Sequence, residues 1–340
     1  MGEQSNIHRD ARSILCARLR LDDFDAVPGL SPVWDERYRQ LGRGRPSIAV
    51  VVASTPNLQL AYVARTPGVF VQGAATGGAA VLAIPLSASR LFMQRAPWDP
   101  SLVAYLPPGS EYEVLSPAPH RVLALAVNPA LLDRVAMERF GTPMTSGASG
   151  RFLRMRDASA REGVLRTWAR WISSSTRAPS MLGDPVVARV MEQEVVQSLV
   201  AALAPTSPLA PLTPYRVLAL RAETYIRDTL DEPAQLRDIC DAVGTEPRSL
   251  HHSFQKVFGI PPKAYQRALR LDAVRRDLLR GGPERTVSET AVRWGFLQFG
   301  YFAMSYRSMF GELPRETLQR SRDSRGPRVH GVRSGPAVLS

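Results

Sequence analysis

Three polar side chains, Arg248, His251 and His252, fall on one side of a helix predicted near the C-terminal end of the sequence. Helical spacing places Leu250 and Phe254 on the buried side, which leaves these three exposed to a partner. An arginine can donate two parallel hydrogen bonds to O6 and N7 of guanine, and a histidine can donate or accept at base edges and phosphates. The three residues therefore indicate contacts to nucleic acid, and the alternative is a solvated helix face.

This helix belongs to a repeat that occurs twice. FQKVFGIPPKAYQRALR, starting at Phe254, matches YRSMFGELPRETLQR, starting at Tyr306, at an offset of 52 residues. Upstream, QLRDICDAVG matches TVSETAVRWG at an offset of 51, so the second copy gains one residue after its glycine. Each copy has the pattern of a helix, a glycine-containing turn and a helix, which predicts two helix-turn-helix units. The predicted core positions are Leu236, Cys240, Gly244, Leu250, Phe254 and Phe258 in the first unit and Ala291, Gly295, Phe302, Tyr306 and Phe310 in the second.

One uninterrupted helix is predicted between the two units, from Pro262 to Arg280. At 1.5 Å per residue this helix is about 27 Å long. With its neighbours it could hold two recognition helices about 34 Å apart, which is one turn of DNA, so that one subunit reads two successive major-groove segments. A helical repeat scaffold that binds no nucleic acid is the alternative.

The preceding part of the sequence has a different period. Short apolar runs separated by Gly, Pro, Asn and Ser fill residues 47–128 and predict the strands of a β-sandwich or barrel. Helical periodicity takes over at about Arg161, so the fold class is α+β with two domains. One apolar stripe in this helical part must pack on the β domain or on a second subunit. It consists of Val186, Val190, Val195, Leu199 and Leu203.

These patterns divide the chain into five segments. They predict a β domain over residues 1–160, a helical segment and dimerisation candidate over 161–203, a Pro-rich linker over 204–214, a helix-turn-helix domain over 215–320 and a disordered basic tail over 321–340. Because Pro-rich linkers separate domains, we expect few contacts to cross this boundary.

Charge and cysteine content restrict the class of protein. The formal net charge is +12, and arginine supplies nearly all of the positive charge. This excess suits a polyanion such as nucleic acid or an anionic membrane surface, although the codon usage of a GC-rich genome would also produce it. Cys16 and Cys240 are too far apart in sequence to suggest a disulfide framework or a zinc site. Because we find neither a secretory leader nor an apolar run long enough to span a membrane, we expect a cytoplasmic protein.

Residues 216–320 resemble the AraC/XylS family of bacterial transcription regulators. The resemblance lies in RSLHHSFQKVFGIPPKAYQRALRLDAVRRDL and WGFLQFGYFAMSYRSMFGELPRETLQR, which are similar to the family's two recognition helices and linking helix. The phrase LPPGSEYEVLS and the strand pattern resemble a cupin-type sensor domain. The resemblance implies a cupin-like domain with flanking helices followed by an all-α DNA-binding domain. It also implies double-stranded DNA, RNA polymerase and a small-molecule effector as partners, with a homodimer as the assembly, and it leaves activation or repression open.

The family's pattern also assigns the groove-facing residues. It places them at Arg248, His251 and His252 in the first recognition helix, in agreement with the periodicity. In the second helix they are Phe299, Gly300, Ala303 and Met304. None of these four side chains can bond a base bidentately, so we expect apolar contact with thymine methyl groups and readout of DNA shape. Phosphate contacts are expected from Lys256, Arg293 and Arg307.

Two other classes of function are weighed against this one. A cupin-type enzyme would need several histidines and a carboxylate to hold a metal, and the N-terminal region offers only His8 and His120. The glycine-rich GAATGG at 73–78 lacks the lysine of a phosphate-binding loop and reads as a turn between strands. We therefore expect no catalysis, no metal and no cofactor. A basic protein that binds DNA without sequence preference remains as the second alternative.

Overall fold

A computed structural model describes residues 16–27, 33–86, 91–94, 96–144, 151–204, 213–232, 234–281 and 285–323. Its N-terminal part contains two antiparallel sheets. The seven-stranded sheet has the order β1 (Cys16–Leu21), β3 (Ser47–Ser54), β4 (Leu58–Thr66), β11 (His120–Val127), β6 (Ala80–Pro85), β9 (Leu102–Leu106) and β12 (Arg151–Arg154). The five-stranded sheet has the order β2 (Trp34–Gln40), β5 (Val69–Ala75), β10 (Glu111–Ser116), β7 (Phe92–Met93) and β8 (Ala96–Pro97).

The two sheets enclose an apolar core and, over the described residues, do not close into a barrel. Of the two forms expected for this domain, the sandwich is therefore correct and the barrel is wrong. The short apolar runs of residues 47–128 correspond to β3, β4, β5, β6, β9, β10 and β11. GAATGG ends β5 and turns into β6 through Gly77 and Gly78, as expected of a connection between strands.

Three helices cover the outer face of the seven-stranded sheet: α1 (Pro129–Phe140), α2 (Ala158–Arg177) and α3 (Pro185–Ala202). The α3 helix begins where the Asp184 carboxylate accepts a hydrogen bond from the Val186 amide. Of the predicted stripe, Val195, Leu199 and Leu203 are buried against the β domain, as one of the two alternatives required. Val186 and Val190 are exposed, so the stripe is not one continuous buried face.

The C-terminal part is helical. It contains α4 (Pro214–Asp228), α5 (Leu236–Val243), α6 (Pro247–Phe258), α7 (Pro262–Arg280), α8 (Val287–Arg293), α9 (Phe299–Phe310) and α10 (Pro314–Asp323). The α7 helix has the bounds predicted for the linking helix and lies between two small cores. Tyr265 and Leu269 contribute to the core of the first unit, and Val274 and Leu278 to that of the second. The α10 helix continues three residues beyond the expected end of the domain at 320.

The two domains share a core, contrary to the expectation that few contacts would join them. Phe70, Phe92 and Leu115 of the sandwich are buried in one cluster with Leu220 and Phe258 of the helical part. Residues 205–212 of the predicted linker, the tail from 324 onward and His8 lie outside the described residues. The linker composition could not reveal this interface, because the contacting residues lie elsewhere in the sequence.

Ion pairs also cross the domain interface. The Arg227 guanidinium of α4 lies 2.9 Å from the Glu113 carboxylate of β10. The Arg275 guanidinium of α7 lies 3.0 Å from the carboxylate of Asp23, which precedes a short 3-10 helix, and it also contacts Glu312. Arg275 is only 5% exposed, so its charge is stabilised by these carboxylates rather than by water.

We expect Arg275→Met to lower the free energy of unfolding by about 3 kcal/mol, because it leaves the partly buried carboxylates of Asp23 and Glu312 without their partner. Arg170→Met is the matched control, since Arg170 pairs with Glu194 at the surface and such pairs contribute at most about 1 kcal/mol. Urea unfolding of the full chain, followed by tryptophan fluorescence, measures both. Equal losses for the two variants would contradict a stabilising role of the interface pair.

A buried polar group lies inside the sandwich. The Arg65 guanidinium is 3.0 Å from the Glu36 carboxylate, and the Tyr38 and Tyr112 hydroxyl groups donate to that carboxylate. The Arg65 guanidinium also lies 3.5 Å from Nε2 of His120. Since arginine can only donate, this nitrogen must be the acceptor and the imidazole is neutral. Burial and the charge of Arg65 lower the pKa of His120 to about 3.

This histidine makes stability depend on pH. Below about pH 6.5, the ordinary pKa of histidine, His120 becomes protonated in the unfolded chain but stays neutral in the folded chain. The contribution of neutral His120 to the free energy of unfolding is therefore fully present above about pH 6.5 and decreases as the pH drops towards 3. We expect His120→Gln to reduce the slope of unfolding free energy against pH by about one proton in this window. Urea titrations between pH 4 and 7 measure the slope, with the exposed His252→Gln as a control that should match the wild type.

Candidate nucleic-acid interface

The first helix-turn-helix unit consists of α5 and α6. The α5 helix ends at Gly244, whose φ of 67° lies in the left-handed region that glycine occupies without steric cost. The chain then enters α6 with Glu246 as the N-cap residue and Pro247 in the first turn. Leu236 is partly buried, and the core is completed by Cys240, Leu250, Phe254 and Phe258. Gly244, the remaining predicted core position of this unit, lies in the turn and is exposed.

The outer face of α6 carries the residues that the sequence singled out. Arg248, His251 and His252 are all exposed, since Leu250 and Phe254 turn towards the core. Lys256 lies in the last turn of the same helix, with its Nζ 4.9 Å from the centre of the Tyr215 ring. This cation–π contact anchors Lys256 beside α4 while its side chain stays at the surface.

The second unit has the same plan with a longer turn. The α8 helix begins with a capping box, in which Thr286 and Glu289 bond each other's backbone amides. It ends before Gly295, whose φ is 71°, and α9 begins at Phe299. Three residues lie between Gly295 and the start of α9, whereas two lie between Gly244 and the start of α6. The additional residue is the one that the second copy gains in the sequence repeat. The predicted core residues that are buried here are Ala291, Phe302, Tyr306 and Phe310.

The outer face of α9 is apolar. Phe299 and Met304 are exposed, Gly300 borders open space, and Ala303 is partly buried rather than exposed. Leu297 in the turn is also exposed, at 75% of its surface. Sequence reasoning missed Leu297, because an apolar residue in a short turn is normally assigned to the core.

Arginines surround this apolar face. Arg293, at the end of α8, is 68% exposed and lies 3.6 Å from the Asp277 carboxylate, and Arg307 is exposed on α9. The Arg270 guanidinium of α7 donates to the carbonyl oxygen of Trp294 in the turn, so it supports the turn itself. Burial and the neighbouring Arg267 lower the pKa of Arg270.

The described residues contain no group of three or more His, Cys, Asp or Glu side chains that could hold a metal ion. Cys16 and Cys240 are both free. No described helix is both long and apolar enough to cross a membrane.

Comparison with known proteins decides the type of this helical domain. Residues 239–320 match the family model described as a helix-turn-helix domain. A 101-residue stretch is 39% identical to "XylDLEGF operon transcriptional activator 3" of Pseudomonas putida, covering 29% of this chain and 30% of that protein. The C-terminal domain is of the AraC type.

Two further proteins resemble the chain. The "Probable thc operon regulatory protein" of Rhodococcus erythropolis is 29% identical over 216 residues, which cover 60% of this chain and 63% of that protein. A solved structure, a probable AraC family transcriptional regulator from Rhodopseudomonas palustris, is 33% identical and has a TM-score of 0.30. That match covers 31% of this chain and 97% of the solved one. The chain spans about a third of the length of most of the Pseudomonas activators that it matches.

Arg248 and Arg307 lie on the two recognition helices of the AraC-type domain and should contribute differently. We expect Arg248→Ala to reduce discrimination at one base pair by about 1–3 kcal/mol, because it removes a bidentate contact to guanine. Arg307→Ala should weaken binding to all sequences alike and flatten the salt dependence by about one ion. Anisotropy titrations with a selected site, its single-base variants and random DNA measure both effects. Equal losses of Arg248→Ala on selected and random DNA would reduce Arg248 to a phosphate contact.

Proposed function

We propose that the protein is a sequence-specific, DNA-binding transcription regulator that reads two successive major-groove segments with α6 and α9. The observation that carries this proposal is the pair of helix-turn-helix units fused through α7, with Arg248, His251 and His252 exposed on the first recognition helix. An α-helix fits the major groove, where exposed polar side chains meet the edges of the bases.

The two recognition helices make different kinds of contact with the bases. Arg248 bonds a guanine, while His251 and His252 contact base edges or phosphates. On α9, Phe299, Ala303 and Met304 pack on thymine methyl groups, and Gly300 allows the helix backbone to approach the base pairs closely. Because an apolar contact discriminates less than a bidentate hydrogen bond, the segment under α9 tolerates base changes better than that under α6. Lys256, Arg293 and Arg307 contact phosphates and fix the position of the protein on the duplex.

The other parts of the chain serve regulation in this proposal. The sandwich responds to a small-molecule effector, RNA polymerase is the protein partner at the promoter, and the protein acts in the cytoplasm without catalysing a reaction. A homodimer is supported by Val186 and Val190, which stay exposed on α3 while the rest of its apolar stripe is buried.

A second candidate function is DNA binding without sequence preference, which the net charge of +12 favours. The two functions differ in their salt dependence. A purely electrostatic binder has the same affinity and the same salt slope on every duplex, whereas a sequence-specific regulator keeps a preference for its site as salt rises.

Selection of binding sites from random duplexes by the full chain tests the proposal. We expect two enriched blocks with centres about 10 bp apart, one of them containing a guanine that Arg248→Ala no longer discriminates. Salt titrations on the enriched site and on random DNA then compare affinity and slope. Absence of any enriched block, together with equal affinities and slopes, would favour the non-specific binder.

A further inference from the structure

Tyr301, which the sequence reasoning passed over, stands in the first turn of α9 with half of its surface exposed. Its hydroxyl oxygen lies 2.6 Å from Nη1 of Arg267 on the linking helix α7. The guanidinium carbon of Arg267 is also 5.2 Å from the centre of the Tyr301 ring. Arg267 therefore holds the phenol at the side of α9.

In the pair of Arg267 and Tyr301, the hydrogen of the phenol is not used by the hydrogen bond between them. A guanidinium carries only donors, so the Tyr301 oxygen accepts the hydrogen bond from Arg267. The phenolic hydrogen is then free to be donated to a second acceptor. Since the side chain is half exposed, this donor is accessible to a partner outside the chain.

We propose that Arg267 and Tyr301 together bind one phosphate of the DNA backbone beside the segment that α9 reads. An anionic oxygen accepts both from the phenol and from the remaining N–H groups of the guanidinium, and charge-assisted bonds of this kind are the strong ones. The inference rests on the proposed function and deepens it, because it assigns a polar anchor to a recognition helix whose groove-facing residues are apolar.

The sequence repeat supports this assignment. At the offset of 52 residues, Tyr301 corresponds to Ser249 of α6, which is also exposed and also carries a hydroxyl group. Both recognition helices thus place a hydroxyl donor at the same position, one residue after Arg248 in the first and after Gly300 in the second. Hydroxyl groups at the edge of a recognition helix are common donors to phosphate oxygens.

The experiment compares the full chain with Tyr301→Phe, Arg267→Gln and the double variant on the selected site and on random DNA. Tyr301→Phe should weaken binding to both by about tenfold, with the salt slope unchanged, because a hydrogen bond is lost but no charge. Arg267→Gln should weaken binding to both and also reduce the salt slope by about one. The double variant should lose less affinity than the product of the single losses, because both side chains serve one phosphate. Arg280→Gln, which removes a charge that is exposed at the far end of α7, is the control.

Substitution of single phosphates by neutral methylphosphonates locates the contact. In the wild type, one position beside the α9 segment should lower the affinity. Tyr301→Phe, which keeps Arg267, should be less sensitive to that substitution, and the double variant should be insensitive to it. Thermal unfolding without DNA should be the same for wild type and Tyr301→Phe. The inference is overturned if both single variants bind like the wild type, if the loss follows one base pair, or if Tyr301→Phe lowers the unfolding temperature in proportion to its loss of binding. If only this inference is wrong, Arg248 still discriminates the guanine in the selected site. If the proposed function is wrong, that discrimination is absent as well.

Discussion

The packing of the second helix-turn-helix unit against the sandwich depends on one buried cation, the guanidinium of Arg275. A charge removed from water is stable only if carboxylates replace the lost hydration, and this one has Asp23 at 3.0 Å and Asp25 at 3.5 Å on one domain and Glu312 on the other. Burial by itself disfavours the ionised form of Asp23, but the charges of Arg275 and Arg320 and the hydrogen bond from the Asp25 amide together outweigh that effect and lower the pKa of the carboxyl group. Separation of the domains would therefore expose a set of charges that are matched only in the assembled chain.

The ion pairs of Arg275 connect the sandwich to the second helix-turn-helix unit. Arg275 lies on α7, and Glu312 follows directly after α9, so the ion pairs join the linking helix to the end of a recognition helix. Arg320 of α10 adds a further contact to Asp23, at 3.3 Å. The first unit is held differently, through the apolar cluster around Phe70 and Leu115. The sandwich thus contacts both units, and the angle between them is fixed by more than α7 alone.

Local features of the sequence predicted much of the fold and of the candidate site. The repeat located α5 to α9 because each buried position recurs at helical spacing, and alternation of apolar residues located the strands that are buried. The edge strand β2 was missed, since WDERYRQ carries four charged residues and its pairing with β5 depends on tertiary contact. The pairing of Arg275 with Asp23 spans 252 residues, and no local pattern distinguishes such charges from solvated ones. Tyr301 was missed for a related reason, because its role depends on Arg267 of another helix.

Gln40, at the end of β2, limits how the two domains of this protein can be exchanged for those of another. Its side-chain amide nitrogen lies 2.8 Å from the carbonyl oxygens of Gly42 and Gly44 and also contacts that of Met309 in the last turn of α9, so the three oxygens share its two N–H donors. The amide of Gly44 in turn donates to the Met309 carbonyl at 3.0 Å. The last turn of a recognition helix is thus capped by a loop of the other domain. A hybrid that joins residues 213–323 to a foreign N-terminal domain would leave the Met309 carbonyl of α9 without these donors, so the loop and the helix have to be exchanged as one unit.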